Sequence, residues 1–141
     1  MQRGFTFVEM IAVIAILIVF VGMAIPQLNR SMAAWDLDNA ARQLEIDLRW
    51  AQQWAINSDT TVQPVITFFN APPYGYMITL NNKVIKPIVV FPATVKIDGQ
   101  PQPLAFGIDG KPSAGFGLKL TNSLSSRKLS IDSWTGRIRV E

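Results

Sequence analysis

The sequence predicts an α+β fold, with one long N-terminal helix packed on a C-terminal antiparallel β-sheet domain. Three observations carry that expectation. The chain opens on an uncharged apolar run, an apolar pattern spaced by 3 and 4 continues to about residue 57, and beyond residue 60 β-branched and aromatic runs alternate with turn residues.

The apolar run sets the first element. Met10 to Pro26 carries no charge, and with Phe5–Val8 the stretch reaches the ~20 residues that a helix needs to cross a ~30 Å hydrocarbon core. A cleaved secretory signal is the rival reading, but its apolar core would be shorter, about 7–15 residues. Arg3 is the basic flank. By the positive-inside rule it places the N-terminus in the cytoplasm and the C-terminal domain across the membrane. Glu9 is the only charge between Arg3 and Arg30. A carboxylate at the centre of a membrane helix costs roughly 2.5–3.5 kcal/mol on insertion scales. Near the helix end it can snorkel at lower cost. It can also take a specific positive partner. Cleavage between Gly4 and Phe5 would create one, an α-amino group on Phe5 one helical turn from Glu9.

Pro26 follows the run, where it removes one backbone hydrogen bond and tends to kink the helix. Beyond it Leu37, Ala40, Ala41, Leu44, Leu48, Ala51 and Ala55 make one apolar face. Arg42, Glu45, Arg49 and Gln52 fall on the other side, Glu45 and Arg49 at a favourable i, i+4 spacing. The helix is therefore expected from about Thr6 to about Asn57, with Asn57-Ser58-Asp59 as its stop.

Strands are expected at Val62–Phe69, Tyr74–Leu80, Lys83–Val90, Thr94–Asp98, Leu104–Ile108, Gly117–Leu120, Leu129–Asp132 and Arg137–Val140. Asn81-Asn82 and Asp98-Gly99 read as hairpin turns, and Asp109-Gly110-Lys111-Pro112 as a further turn. The resulting organisation is 5–28 as the membrane half of the helix, 29–58 as its amphipathic half and 59–141 as the antiparallel β domain.

Composition bounds the chemistry. The 141 residues include no Cys and no His, which removes the common nucleophile, the common general base, the usual zinc ligands and any disulfide framework. Asp36, Asp38, Glu45 and Asp47 form the one acidic cluster, and their spacing scatters them around the helix as a solvated face rather than a metal or acid/base site. Ser123, Ser125, Ser126 and Ser130 have no His to activate them. Gly107, Gly110, Gly115 and Gly117 lie in a turn-rich stretch rather than between a strand and a helix, which argues against a phosphate loop. No enzyme activity, cofactor or metal is expected. Trp50 and Trp54, one turn apart, are expected with Trp35 to pack against the sheet or a neighbouring helix.

One family resemblance covers nearly the whole chain. Gly4-Phe5-Thr6-Phe7-Val8-Glu9, followed by about twenty apolar residues, resembles the type IV prepilin signal. The resemblance implies a leader, Met1–Gly4, removed by a prepilin peptidase that then N-methylates Phe5. It implies that Glu9 pairs with the amine of a neighbouring subunit during filament assembly, and that Pro26 marks the junction between the two helix halves. The helix "ARQLEIDLRWAQQWAIN" followed at once by a strand, then Phe106-Gly107-Ile108-Asp109-Gly110-Lys111-Pro112 and a terminal "LSIDSWTGRIRVE", is similar to minor pilins and pseudopilins of the GspH/FimT type. The implied role is a minor subunit of a type IV pilus-like filament. Its implied partners are other pilin or pseudopilin subunits, the prepilin peptidase/methylase, an inner-membrane assembly platform, and lipid before assembly. The implied location is the cytoplasmic membrane, followed by an extracytoplasmic filament.

Two alternatives stay within that scaffold. One is a minor pseudopilin of type II secretion. The other is a DNA-binding pilin for natural transformation (competence, DNA uptake). Residues 111–141 hold six of the thirteen Lys/Arg and two of the ten acids, so the basic character lies at the C-terminal end. With Thr135-Gly136 as a two-residue turn, Asp132 faces Arg139 and Trp134 faces Arg137, with Ile131, Ile138 and Val140 on the opposite side. Arg137, Arg139, Trp134 and Lys128 would then share a face suited to a nucleic-acid strand, with cations for phosphates and an indole for stacking. The Gly136-Arg137-x-Arg139 pattern matches one associated with DNA binding in FimT-like pilins. The competing reading is an edge strand protected by charge.

Overall fold

A computed structural model describes residues 7–58 and 62–141. The cleavage and methylation positions Gly4 and Phe5 lie outside the described residues. The chain forms two compact units divided between Met32 and Ala33.

Helix α1 spans Phe7–Asn57, as the two apolar patterns require. Its first unit is the apolar stretch containing Pro26. Proline has no N–H to donate, so the carbonyl of Gly22 lacks its usual i+4 donor. In the second unit the expected apolar face is the buried one. Leu37, Leu44, Leu48, Ala51 and Ala55 have no solvent exposure, and Ala40 and Ala41 almost none. Each of those leucines contributes roughly 1.5–3 kcal/mol by leaving water. The alanines between them let the sheets approach closely.

Among the described residues nine strands follow: β1 (Val65–Phe69), β2 (Gly75–Leu80), β3 (Lys83–Val84), β4 (Val89–Val90), β5 (Lys96–Asp98), β6 (Leu104–Ala105), β7 (Phe116–Thr121), β8 (Ser126–Ile131) and β9 (Ile138–Val140). They form two antiparallel sheets. Sheet A has the order β3-β2-β1-β6, with β4 also on β2, and sheet B the order β5-β7-β8-β9. The inner faces of both sheets share one core with α1, and Phe68 of β1 stacks on Phe116 of β7 at 5.4 Å.

Of the two expected hairpin turns, one forms and one needs correction. Asn81-Asn82 is the expected hairpin, with both residues left-handed (φ 49° and 61°), as a two-residue primed turn demands. Asp98-Gly99 turns the chain, Gly99 having φ 96°, but it does not form a hairpin. β5 pairs with β7 in sheet B, whereas β6 pairs with β1 in sheet A. Pro101 and Pro103 follow the turn and lack the N–H groups that a returning ladder would use.

The expected single strand Lys83–Val90 is also divided. Thr79 pairs with Val84 and Tyr76 with Val89, so the outer strand spends five residues where β2 spends three. The surplus falls at Lys86-Pro87. Pro87 cannot donate to a ladder, and the bulge frees Lys86 to turn inward.

Candidate functional site

Two surfaces answer to the sequence expectations. The first is the apolar stretch of α1. Its most apolar 18-residue window has a mean hydropathy of 2.8, and none of it is buried within the chain. Phe7, Val8, Ile11, Ile14, Ile18 and Phe20 are all more than half exposed. This helix is long and apolar enough to cross a membrane. Glu9 lies in its first turn, the end at which a carboxylate complements the helix dipole.

The second surface is the outer face of sheet B. Ile131 pairs with Ile138, Ser130 with Arg139, and Leu129 with Val140. The register is therefore shifted by two residues from the expected one. The loop is Ser133–Gly136, four residues rather than two. Asp132 accounts for the difference: its Oδ1 accepts from the amides of Trp134 and Thr135, both at 2.9 Å, and its carbonyl accepts from Gly136 at 2.8 Å. An aspartate that captures the amides beyond it builds its own turn. Those two amides, first Thr135 and then Trp134, hold its carboxyl below the usual range, with the Arg139 charge a smaller cause.

A shift by two preserves the faces, because side chains alternate with period 2. Arg137, Arg139 and Lys128 remain exposed on the outer face, opposite the buried Leu129, Ile131 and Ile138. Trp134 departs from the expected cross-strand position. It sits in the loop with 83% of its surface exposed. Lys119 joins the group, since it stands directly opposite Lys128 in the β7–β8 ladder. Alternation from the buried Leu118 and Leu120 marked it as outward in the sequence. Asp98 pairs with Lys119 at 3.1 Å, so the face is basic without being purely so.

Gly136 has a structural role. Its φ is 65°, and a Cβ there would lie 2.3 Å from the carbonyl oxygen of Gly110. Gln52, expected on the solvent side of α1, donates its amide to the carbonyls of Gly110 (2.7 Å) and Gly136 (2.8 Å). The helix thus fixes both the 107–111 turn and the C-terminal loop. In that turn the Gly107 amide bonds to Lys111, and the amide of Lys111 holds the Asp109 carboxyl below its usual range.

Within the acidic cluster of α1, Asp47 departs from the expected solvated face. Asp47 is 2% exposed and accepts hydrogen bonds from the Tyr76 hydroxyl at 2.7 Å and from Lys86 Nζ. Burial, and then donation to Asp47, push the Tyr76 hydroxyl pKa far up. The Lys86 ammonium also lies 4.8 Å from the centre of the Trp50 ring. Asp38 pairs with Arg127 at 2.8 Å, and Asp36 accepts from Thr94 at 2.8 Å. Glu45 does stay on the helix surface, paired with Arg49 as spaced. Position 47 follows Leu44 by three and precedes Ala51 by four, so the apolar period itself placed it inward. Trp50 packs partly against the core, and Trp35 is exposed. Compared with known protein families, curated proteins and solved structures, the chain gives no match.

Proposed function

We propose that the chain is a prepilin-type subunit of the GspH/FimT kind, a minor pilin or pseudopilin of a type IV pilus-like filament. The observation that carries this reading is the uncovered apolar half of α1, whose one charge is Glu9, continuing into a half that forms the core of a β domain. Such a stretch needs lipid or neighbouring helices around it. In this reading it sits first in the cytoplasmic membrane with the N-terminus inside. After cleavage behind Gly4 it enters a filament, where Glu9 meets the amine of a neighbouring subunit's Phe5. Its partners are then other pilin or pseudopilin subunits, the processing enzyme and the assembly platform. Mass spectrometry of the native protein, from cells with an active prepilin peptidase, should show loss of residues 1–4 and one added methyl. An intact N-terminus would refute the reading.

A second reading, DNA capture by the filament, draws support from one specific arrangement. Lys119 and Lys128 face each other, while Gly117 and Ser130, the next outward pair, leave a low floor beside Arg139. A basic rim along a shallow floor suits a phosphate backbone. Titration of the full chain in neutral-lipid nanodiscs with duplex DNA tests it. Replacing Arg137 and Arg139 together with Ala should weaken binding for every sequence. It should also reduce the slope of log K against log salt by about 1.8. Binding that is unchanged in the double variant would leave the filament role alone.

A further inference from the structure

The two sheets differ in what they show to solvent. Sheet B turns out Lys96, Asp98, Lys119, Lys128, Arg137 and Arg139, the usual polar outer face of an antiparallel sheet. The register of sheet A puts Val65, Thr67, Met77, Thr79, Val84 and Ala105 outward, and among the described residues no charge shares that face. A depression of about 650 Å³ lies on it. It is lined by Val65, Met77 and Pro103, by the carboxamides of Gln63, Asn81 and Asn82 and by the hydroxyls of Thr67 and Thr79. Among the described residues, only Thr79 of these five polar groups makes a side-chain hydrogen bond, a long one of 3.4 Å to Val65.

We propose that this outer face of sheet A is a binding site for a neutral oligosaccharide. Carboxamides and hydroxyls donate and accept at once, which matches the hydroxyl groups of a sugar ring. The apolar Val65, Met77 and Pro103 suit the C–H faces of the rings, and the lack of charge matches a ligand without charge. Size argues against a second copy of the chain. Four strands ~4.8 Å apart and five residues of ~3.4 Å give a face of about 330 Å² at most, against about 800 Å² per partner in a stable interface. The site lies wholly within the β domain and needs neither cleavage nor assembly, so its test is separate from that of the filament reading.

Isothermal titration of the full chain in phosphatidylcholine nanodiscs, which carry no sugar headgroups, with maltohexaose, cellohexaose and hexa-N-acetylchitohexaose provides the test. At least one hexaose should bind, with an affinity that salt does not change. Gln63→Ala with Thr67→Val should weaken it by about tenfold, two lost hydrogen bonds. Thr67→Glu should abolish it, and Lys119→Ala on the other sheet should leave it intact. Circular dichroism checks that each variant is folded. The proposal is overturned if none of the hexaoses titrates. It is equally overturned if binding falls with added salt and with Lys119→Ala. Failure of all three sugars, together with loss of co-assembly in Thr67→Glu, would identify the face as a protein contact instead.

Discussion

Asp47→Ala should lower the stability of the β domain by about 3 kcal/mol, more than any loss of a surface charge. Asp47 is buried and accepts from two elements at once, Tyr76 on β2 and Lys86 in the bulge between β3 and β4. Removing the carboxylate leaves the Tyr76 hydroxyl buried without an acceptor, which costs roughly 1–3 kcal/mol. It also leaves Lys86 without its partner. Breaking a fully buried ion pair costs about 3–5 kcal/mol, but the Lys86 side chain is 28% exposed and can turn to water, which reduces that share. Urea unfolding of the full chain in nanodiscs measures the sum. Trp50 fluorescence should shift in the native state, because the ammonium leaves its ring. A variant within 0.5 kcal/mol of wild type, the usual range for a surface substitution, would show that the network contributes little. Tyr76 adds a pH dependence of known sign. Its folded pKa is raised above the ordinary 10.0, so its contribution is complete below about pH 10 and declines as pH rises further. Tyr76→Phe should remove that decline.

Gly136→Ala should be as damaging, by about 3 kcal/mol or more, while Arg137→Ala beside it should stay within about 0.5 kcal/mol. The left-handed backbone costs a residue with a Cβ about 1–2 kcal/mol. The added carbon would also meet the Gly110 carbonyl at 2.3 Å and Gln52 Nε2 at 2.8 Å. Relief requires moving the loop, which breaks both hydrogen bonds from Gln52. Thermal unfolding of the two variants separates the parts played by adjacent residues, the glycine in building the turn and the arginine on the surface. Equal stability of the two would contradict the packing around Gly136.

The helix was legible because its signal is repetitive: Leu37 to Ala55 keep one phase over five turns, and burial follows it residue by residue. The strands were legible where apolar runs end in turn residues, as at Asn81-Asn82. What failed was pairing. Asp98-Gly99 has the composition of a hairpin, and nothing local says that Lys96–Asp98 will join β7 rather than its successor. The C-terminal register failed for a related reason. Thr135-Gly136 satisfies a two-residue turn, but Asp132 competes for the same amides, and Gln52, eighty-four positions earlier, holds the glycine carbonyl. Asp47 was missed because a carboxylate was assumed to be solvated. Its partner Lys86 comes from a bulge that exists only once Pro87 interrupts a ladder. Of the site residues, Arg137, Arg139 and Lys128 stand on the expected face because alternation survives a slip of two. Trp134 does not, because it left the strand.

The two hydrogen bonds of Gln52 also bear on how the chain reaches its native state. They join residues 58 and 84 positions apart. The helical half of that contact is synthesised first, and β9, which supplies the buried Ile138, is the last of the described strands to appear. Until then the core to which α1 contributes Leu44 and Leu48 lacks Ile138, and each closure must overcome the entropy of a long loop. Folding should therefore be slow for a domain of this size, as expected when distant pairings dominate. It should also complete in one late step, so that a nascent chain halted before residue 136 remains protease-sensitive through its whole β region.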